Sequence, residues 1–378
     1  MPLVILNTLL LLALCEGTAR LAEWWHPAVE DVSFDYAPYR MLKMTRAPWQ
    51  FNRDGFRAAE LTSYRANGSH RFLIEFLGGS VCLGVGTNPG KTVPEQLDES
   101  LHAAGLEYAT VVNLCQGGAT SAQELAIFLQ YGLPLRPQMV LSFDGANDLM
   151  HPLPMGDDDV ANLPYRNHEL QALFDGHHGL LSHLALTRVA GRLARHAPPR
   201  PMNVASAVPV DQILDSYLYV TNVVRTLTKA QGGSYGLILQ PTLHYDKSWS
   251  AEEKTMWRAR HPTDSESSSA YARSLYSAAR VAVTKWSNDV GEPVYDLTQT
   301  FHGLDSTVYS DSVHFTGTTG YRMLEAALEQ QGLVAAIRVQ YQMWNRTSPQ
   351  KPWTGTSSDE ENLTHAAVHD LGSTQWRP

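Results

Sequence analysis

The stretch FLGGSVCLGVG, residues 76–86, ends a nearly continuous apolar run with two glycines and a single serine. The run begins as HRFLIEFLGG at residues 70–79, and such a segment is typical of a strand with both faces covered. Gly78 and Gly79 allow a sharp turn that leaves Ser80 exposed at the carboxyl end of the strand. A serine in this position can act as a nucleophile, bind a phosphate or simply belong to a turn.

Four further apolar stretches have the length and composition of buried strands: YATVVNLC (108–115), QMVLSFDG (138–145), YGLILQPTL (235–243) and PVYDL (293–297). Helical patterns separate them at about 92–104, 120–132, 168–195, 210–230, 266–287 and 317–331. Strands that alternate with helices predict βαβ units and a parallel sheet. We therefore expect an α/β fold, a three-layer α/β/α sandwich of flavodoxin-like kind with about five parallel strands.

The chain divides into four segments. Residues 1–25 are predicted to be a signal or membrane-anchor segment, and residues 26–69 an irregular N-terminal arm. Residues 70–332 form the main α/β domain, in which about 150–205 is too long for a simple crossover and predicts a helical insertion. Residues 333–378 contain the end of the last helix and a polar, Ser- and Thr-rich tail, for which we expect disorder.

The N-terminal apolar run extends from Leu3 to Cys15. A membrane-spanning helix needs roughly 20 residues, so this run suits the hydrophobic region of a signal peptide better. No Lys or Arg precedes the run and no A-x-A site follows it, which leaves an ordinary buried helix as the alternative. We expect an exported or membrane-anchored protein on the periplasmic or extracellular side.

Composition and spacing argue against several partners and cofactors. The formal net charge is −9 with scattered Lys and Arg, whereas nucleic-acid binding needs a basic face. The glycines of GTNPGKT (86–92) are too close together for a phosphate-binding loop. The histidines of DGHHGLLSH (175–183) lack acidic or Cys partners at ligand spacing, so a solvated loop is expected there. We therefore expect neither metal nor organic cofactor.

The three cysteines are Cys15, Cys82 and Cys115, and none belongs to a CxxC pair. Three cysteines cannot form a disulfide framework. Cys82 and Cys115 fall near the ends of neighbouring predicted strands, so a bridge between them is an alternative. We expect buried free thiols.

A serine needs a base before it can act as a nucleophile. The segment YSDSVHFTGTTGY (309–321) contains Asp311 and His314, which lie on the same side of a turn because they are three residues apart. His314 could accept the Ser80 proton, while Asp311 would orient the imidazole and stabilise its charged form. A D-x-x-H pair is common by chance, so this pair alone is a weak signal.

Acyl transfer also needs hydrogen-bond donors for the developing oxyanion. NLCQGGATSAQE (113–124) ends a strand in glycines, which allow the backbone N–H of Gly118 to approach a ligand closely. FDGANDL (143–149) places Asn147 just beyond the next strand. A tight turn at Gly118 and an Asx turn at Asn147 are the structural alternatives. Ligands bind beyond the carboxyl ends of parallel strands, where both positions fall.

The order of these blocks resembles the SGNH hydrolase superfamily, the GDSL-type esterases and acylhydrolases. The matching blocks are GGS at 78–80, Gly118 in NLCQGGATS, GAND at 145–148 and DSVH at 311–314. The resemblance covers about residues 70–332, and FNRDGFRAAE (51–60) looks like the lead-in of many exported members. The first block of this family usually reads GDS, so Gly79 departs from the pattern.

The resemblance implies that Ser80 is the nucleophile, His314 the base and Asp311 its orienting partner. It also implies oxyanion donors from the N–H groups of Ser80 and Gly118 and from the side chain of Asn147. The implied reaction is hydrolysis of a carboxylic ester on a small molecule, glycan or lipid, through an acyl-serine. The alternatives are a polysaccharide O-acetyltransferase with the same catalytic residues and a catalytically retired carbohydrate-binding module.

Overall fold

The computed structural model describes residues 2–25, 33–37, 39–46, 51–66, 71–88, 90–150, 184–185, 209–245, 247–260 and 266–347. Most of the insertion expected at about 150–205 lies outside these ranges. The histidine-rich segment 175–183 and the polar tail beyond residue 347 lie outside them as well.

The centre of the molecule is a five-stranded sheet in which all strand pairs are parallel, in the order β4-β3-β5-β6-β7. The predicted parallel α/β fold is therefore confirmed. A separate antiparallel hairpin, β1–β2, precedes the sheet along the chain. The strands are β1 (Ser33–Ala37), β2 (Met41–Arg46), β3 (Phe72–Gly78), β4 (Ala109–Asn113), β5 (Met139–Asp144), β6 (Ser234–Leu239) and β7 (Val294–Asp296).

Helices connect the strands and cover the sheet. A π-helical turn, Phe128–Gly132, and a 3₁₀ turn, Leu133–Leu135, follow α5. The α-helices of the described residues are α1 (Pro2–Trp25), α2 (Leu61–Ala66), α3 (Ser80–Leu83), α4 (Val93–Ala103), α5 (Ser121–Ile127), α6 (Ala146–Met150), α7 (Val210–Ala230), α8 (Ala251–Arg260), α9 (Glu266–Val290), α10 (Thr319–Gln330) and α11 (Leu333–Thr347).

Strand β3 shows why the sheet needs cover on both faces. All seven of its residues are buried, and successive side chains of a strand point to opposite faces. Phe72, Ile74 and Phe76 belong to the apolar core shared with α4, α10 and α11. Leu73 and Leu77 belong to a second core shared with α5, α7 and α9. The two cores make the three layers of the predicted sandwich.

The segment before the sheet is more regular than the irregular arm that we expected. Strands β1 and β2 form an antiparallel pair, and α2 follows. Met44 and Phe56 are almost completely buried, and Met44 joins the core beside α4. Alternating apolar residues in β2 therefore attach this segment to the main domain.

Helix α1 has an apolar and exposed surface. Leu6, Leu10 and Leu14 are each more than half exposed. Among the described residues, no helix combines the length and hydropathy needed to cross a membrane. Whether α1 directs export or anchors the protein stays a prediction.

Candidate active site

The first three blocks of the motif pattern meet because β4, β3 and β5 are neighbours in the sheet. Phe76 of β3 pairs with Asn113 of β4, and Gly78 of β3 pairs with Phe143 of β5. The carboxyl ends of the three strands therefore lie together at one edge of the sheet. Ser80 begins α3 after β3, Gly118 lies in the loop after β4, and Asn147 lies in α6 after β5.

The turn before Ser80 needs glycine for reasons of space. A Cβ atom at Gly78 would lie 2.5 Å from the carbonyl oxygen of Phe143 and 2.7 Å from Cβ of Cys82. At Gly79 the φ angle is −84°, which any residue can adopt. There an added Cβ would lie 2.5 Å from Nδ2 of Asn147. A side chain at position 79 would therefore have to displace the Asn147 amide.

Ser80, His314 and Asp311 form a continuous hydrogen-bonded chain. Oγ of Ser80 lies 2.7 Å from Nε2 of His314, and Nδ1 of the same ring lies 2.7 Å from Oδ2 of Asp311. All three side chains are partly exposed at the edge of the sheet. The structure thus brings the three residues together, although Ser80 and His314 are 234 positions apart in the sequence.

Asp311 also fixes the backbone of its own turn. Its Oδ1 accepts hydrogen bonds from the N–H groups of Val313 at 2.8 Å and His314 at 2.7 Å. Burial alone would raise the pKa of Asp311, but the imidazole of His314 and these backbone donors lower it to about 2. An ionised carboxylate only accepts hydrogen bonds, so Nδ1 of His314 is the donor. In the neutral ring, Nε2 is then an acceptor for the Ser80 hydroxyl.

Three potential hydrogen-bond donors follow the ends of β3, β5 and β4: the Ser80 N–H, the Asn147 amide and the Gly118 N–H. Nδ2 of Asn147 lies next to Gly79 and donates one hydrogen bond to the carbonyl oxygen of Ala119 at 2.6 Å, and no described residue accepts its second hydrogen. Gly118 has a φ of +72°, a left-handed conformation that favours glycine. No described residue accepts a hydrogen bond from the backbone N–H of Ser80 or of Gly118.

Asp148 connects two of the blocks, and the sequence reasoning missed this role. Its Oδ1 accepts hydrogen bonds from the backbone N–H of Ser121 at 3.0 Å and from the Ser121 hydroxyl at 2.6 Å. Helix α6, which carries Asn147, is thereby joined to the start of α5, just after the Gly118 loop. Burial raises the pKa of Asp148 to about 6, although the Ser121 hydrogen bonds oppose the rise.

Two more acidic residues lie beneath Asp148. Burial raises the pKa of Asp144 and of Glu124 well above the usual range, and nearby negative charge raises both further. Across the described ranges, no group of three or more His, Cys, Asp or Glu residues is arranged to hold a metal ion.

Cys82 and Cys115 form a disulfide, so the expectation of buried free thiols is wrong. Their Cα atoms are 5.7 Å apart, although the residues are 33 positions apart in the chain. The pairing follows from the neighbouring strands β3 and β4 together with the fold of α3 back over the end of β3. The bridge joins the turn of Ser80 to the loop of Gly118, and both sulfurs are buried.

Two arginines of the arm before β3 contact the loops that follow α3 and β4. The guanidinium of Arg57 donates hydrogen bonds to the carbonyl oxygens of Gly84 at 3.2 Å and Asn88 at 2.8 Å, just after α3. The carbonyl oxygen of Arg40 accepts a hydrogen bond from Nε2 of Gln116 at 3.0 Å, just before Gly118. Arg40 and Arg57 thus support both loops, a role that the polar, mixed sequence around them did not reveal.

No protein-family model matches the sequence, and no curated protein matches it significantly. The chain is similar to the solved structure of a lipolytic G-D-S-L family member from Veillonella parvula, with 11% identity, a TM-score of 0.39 and coverage of 69% of this chain and 98% of that one. It is similar to an acetylxylan esterase from Geobacillus stearothermophilus, with 16% identity, a TM-score of 0.40 and coverage of 69% and 94%. It is also similar to a GDSL-like lipase from Bacteroides thetaiotaomicron, with 13% identity, a TM-score of 0.36 and coverage of 74% of this chain and 97% of that one. Two of these three solved structures are described as G-D-S-L or GDSL-like proteins, and the third is described as an acetylxylan esterase.

Proposed function

We propose that this protein is a serine esterase or acylhydrolase that cleaves a carboxylic ester through an acyl-serine intermediate. The observation that supports this most strongly is the hydrogen-bonded chain from Asp311 through His314 to Ser80. Its position at the carboxyl edge of a parallel sheet is where such folds bind ligands. The Ser80 and Gly118 N–H groups, for which the described part of the chain holds no acceptor, and the Asn147 amide are the further groups that support the proposal.

The proposed reaction has two halves. Ser80 Oγ attacks the ester carbonyl while Nε2 of His314 takes the hydroxyl proton, and the alcohol then leaves with that proton. Water next attacks the acyl-serine and gives a proton to His314, and release of the carboxylic acid returns the proton to Ser80. Asp311 stays ionised throughout and stabilises the imidazolium in both halves.

The oxyanion of each tetrahedral intermediate would be held by the N–H groups of Ser80 and Gly118 and by Asn147. One hydrogen of the Asn147 amide is already engaged by Ala119, which fixes the direction of the other. Donors that are oriented before the reaction need no reorganisation when charge develops. This preorganisation supports catalysis over a retired binding module.

Export or membrane anchoring is the location that we propose. A disulfide between Cys82 and Cys115 is typical of proteins in oxidising compartments. The exposed leucines of α1 suit contact with a membrane or with export machinery.

The function is tested with p-nitrophenyl acetate, butyrate and octanoate, with and without a sugar acceptor, for the wild type and Ser80→Ala. We expect ester hydrolysis by the wild type and its loss in Ser80→Ala. Acetylated sugar in place of free acetate would assign an O-acetyltransferase. Absence of both products from folded wild-type protein would contradict the enzymatic proposal.

A further inference from the structure

The loop that carries Asp311 and His314 lies between β7 and α10. An isolated bridge between Tyr309 and Phe315 is the only strand-type pairing of this loop among the described residues. Its position relative to Ser80 must therefore depend on contacts made by side chains and loop backbone.

Glu253, in the first turn of α8, makes hydrogen bonds to the backbone of this loop. Its Oε1 accepts hydrogen bonds from the backbone N–H groups of Val308 at 2.9 Å and Tyr309 at 3.0 Å. Its Oε2 accepts from Nζ of Lys247 at 2.7 Å and from the N–H of Ser250 at 2.8 Å. One carboxylate thus joins the start of α8 to the loop, just before Asp311.

The ion pair of Lys247 and Glu253 is sealed from solvent, since the two side chains are 1% and 0% exposed. Burial would raise the pKa of Glu253, but the hydrogen bonds from Lys247 and from backbone N–H groups outweigh it and lower the pKa. The group is therefore ionised at neutral pH, and its hydrogen bonds to the loop are charge-assisted and strong.

A second contact holds the loop on the other side of Asp311. The backbone N–H of Leu243 and the hydroxyl of Thr242 both donate to the carbonyl oxygen of Ser312, each at 2.9 Å. Thr242, Leu243 and Glu253, which we name the loop clamp, therefore hold the loop at positions 308–309 and 312. Asp311 lies between these two points.

We infer that Glu253 is a positioning residue that sets the distance between the His314 imidazole and the Ser80 hydroxyl through the loop clamp. The inference rests on the proposed function for its kinetic consequences, while its geometric content is independent. Glu253 touches neither substrate nor the reacting atoms. Geometry matters here because a displacement of about 1 Å can cost about 10²-fold in rate.

The test compares Glu253→Gln with Glu252→Gln. In Glu253→Gln, the amide can still accept from the loop, but its NH₂ group faces the donors of Lys247 and Ser250. We expect kcat to fall by about 10-fold to 100-fold with little change in KM. The neighbouring Glu252 is exposed and accepts from the side chains of Thr307 and Ser250 rather than from backbone N–H groups of the loop. A Gln oxygen can accept the same bonds, so Glu252→Gln should keep wild-type kinetics.

A second readout does not require turnover. The hydrogen-bonded Nδ1–H of His314 should give a downfield proton NMR signal, assigned by its loss in His314→Ala. We expect Glu253→Gln to shift or broaden this signal and Glu252→Gln to leave it unchanged. If the wild type has no esterase activity, the signal still tests the clamp, and the two proposals fail separately.

Thr242→Val provides a variant with a milder effect on folding, because Leu243 still donates to Ser312. We expect it to fold, to lose about threefold to tenfold in kcat and to shift the same NMR signal. If Glu253→Gln does not fold, the kcat and the NMR signal of Thr242→Val test the inference in its place. Wild-type kcat and an unshifted signal in every folded clamp variant would overturn the inference.

Discussion

A side chain at position 79 would overlap with the observed position of Asn147, because a Cβ atom at Gly79 would lie 2.5 Å from Nδ2 of Asn147. That Nδ2 donates to the carbonyl oxygen of Ala119, beside the Gly118 loop. Three blocks that are distant in sequence therefore meet at one amide. The absence of a side chain at position 79 is what allows Asn147 to take this position.

This contact predicts the effect of a side chain at position 79. Gly79→Ala and Gly79→Asp should both fold, because the obstructing atom is the end of a side chain that can move. Both should lower kcat by about 10²-fold or more through displacement of Asn147. Gly117→Ala is the matched control, since its Cβ would meet no atom closer than 3.7 Å. A fully active Gly79→Asp enzyme would contradict the assignment of Asn147.

Replacement of Asp311 tests the role of its charge. Asp311→Asn should lower kcat by about 10²–10⁴-fold, because an amide neither stabilises the imidazolium nor enforces the same tautomer. Asp305→Asn, which alters an exposed carboxylate of the same loop region, is the control. Comparable kcat values for Asp311→Asn and the wild type would exclude the proposed role of the Asp311 charge.

The low pKa of Asp311 has a consequence for stability. Because its folded-state pKa is about 2, below that of an unfolded Asp, the carboxylate stabilises the fold above about pH 4. That contribution is lost as the pH falls from about 4 to 2. The difference in unfolding free energy between the wild type and Asp311→Asn should be constant above pH 5 and shrink below pH 4. Denaturant unfolding at pH 2.5, 4 and 7 measures it, and a difference that grows on acidification would be inconsistent with this sign.

Glu75 should weaken the fold as pH rises. Both of its carboxyl oxygens are buried and have no hydrogen-bond partner among the described residues, and burial raises its pKa to about 8. The unfolded chain ionises this group from about pH 4.5, so the folded state loses relative stability until about pH 8. Glu75→Gln should match the wild type near pH 4 and exceed it by up to about 4 kcal/mol at pH 8. The exposed Glu107→Gln should show no such trend.

The disulfide predicts sensitivity to reductant. It closes a loop across 33 positions of sequence, so replacing both Cys82 and Cys115 by serine should lower the free energy of unfolding by about 2–4 kcal/mol. Reductant should destabilise the wild type and leave the double variant unaffected. Cys15→Ser, in α1, should behave like the wild type. Alkylation of Cys82 and Cys115 in protein that is unfolded without reductant would show that the bridge is absent.

Most strands of the sheet and many of the helices around it could be predicted from local sequence. The apolar run at 70–79 contains β3, and the pattern at 210–230 coincides with α7. These signals are local, because strand burial and helical periodicity are properties of neighbouring residues. Helix α8 was missed since AEEKTMWRAR lacks an apolar stripe, although Ser250 and Glu253 have the spacing of a capping box.

The parts that sequence did not reveal depend on distance across the fold. Cys82 and Cys115 come together only because β3 and β4 are adjacent. Lys247 and Glu253 look like ordinary surface charges until the loop before Asp311 covers them. Order along the chain identified the candidate site, but the groups that hold it in place come from segments with no motif.

The most direct test of the proposed function is to locate the adduct of a fluorophosphonate ester on folded, full-length protein by peptide mass spectrometry. The proposal predicts a single adduct on Ser80, with slower labelling in His314→Ala and none in Ser80→Ala. An adduct on another residue, or labelling that is unchanged in His314→Ala, would contradict the assignment of Ser80 as the activated nucleophile.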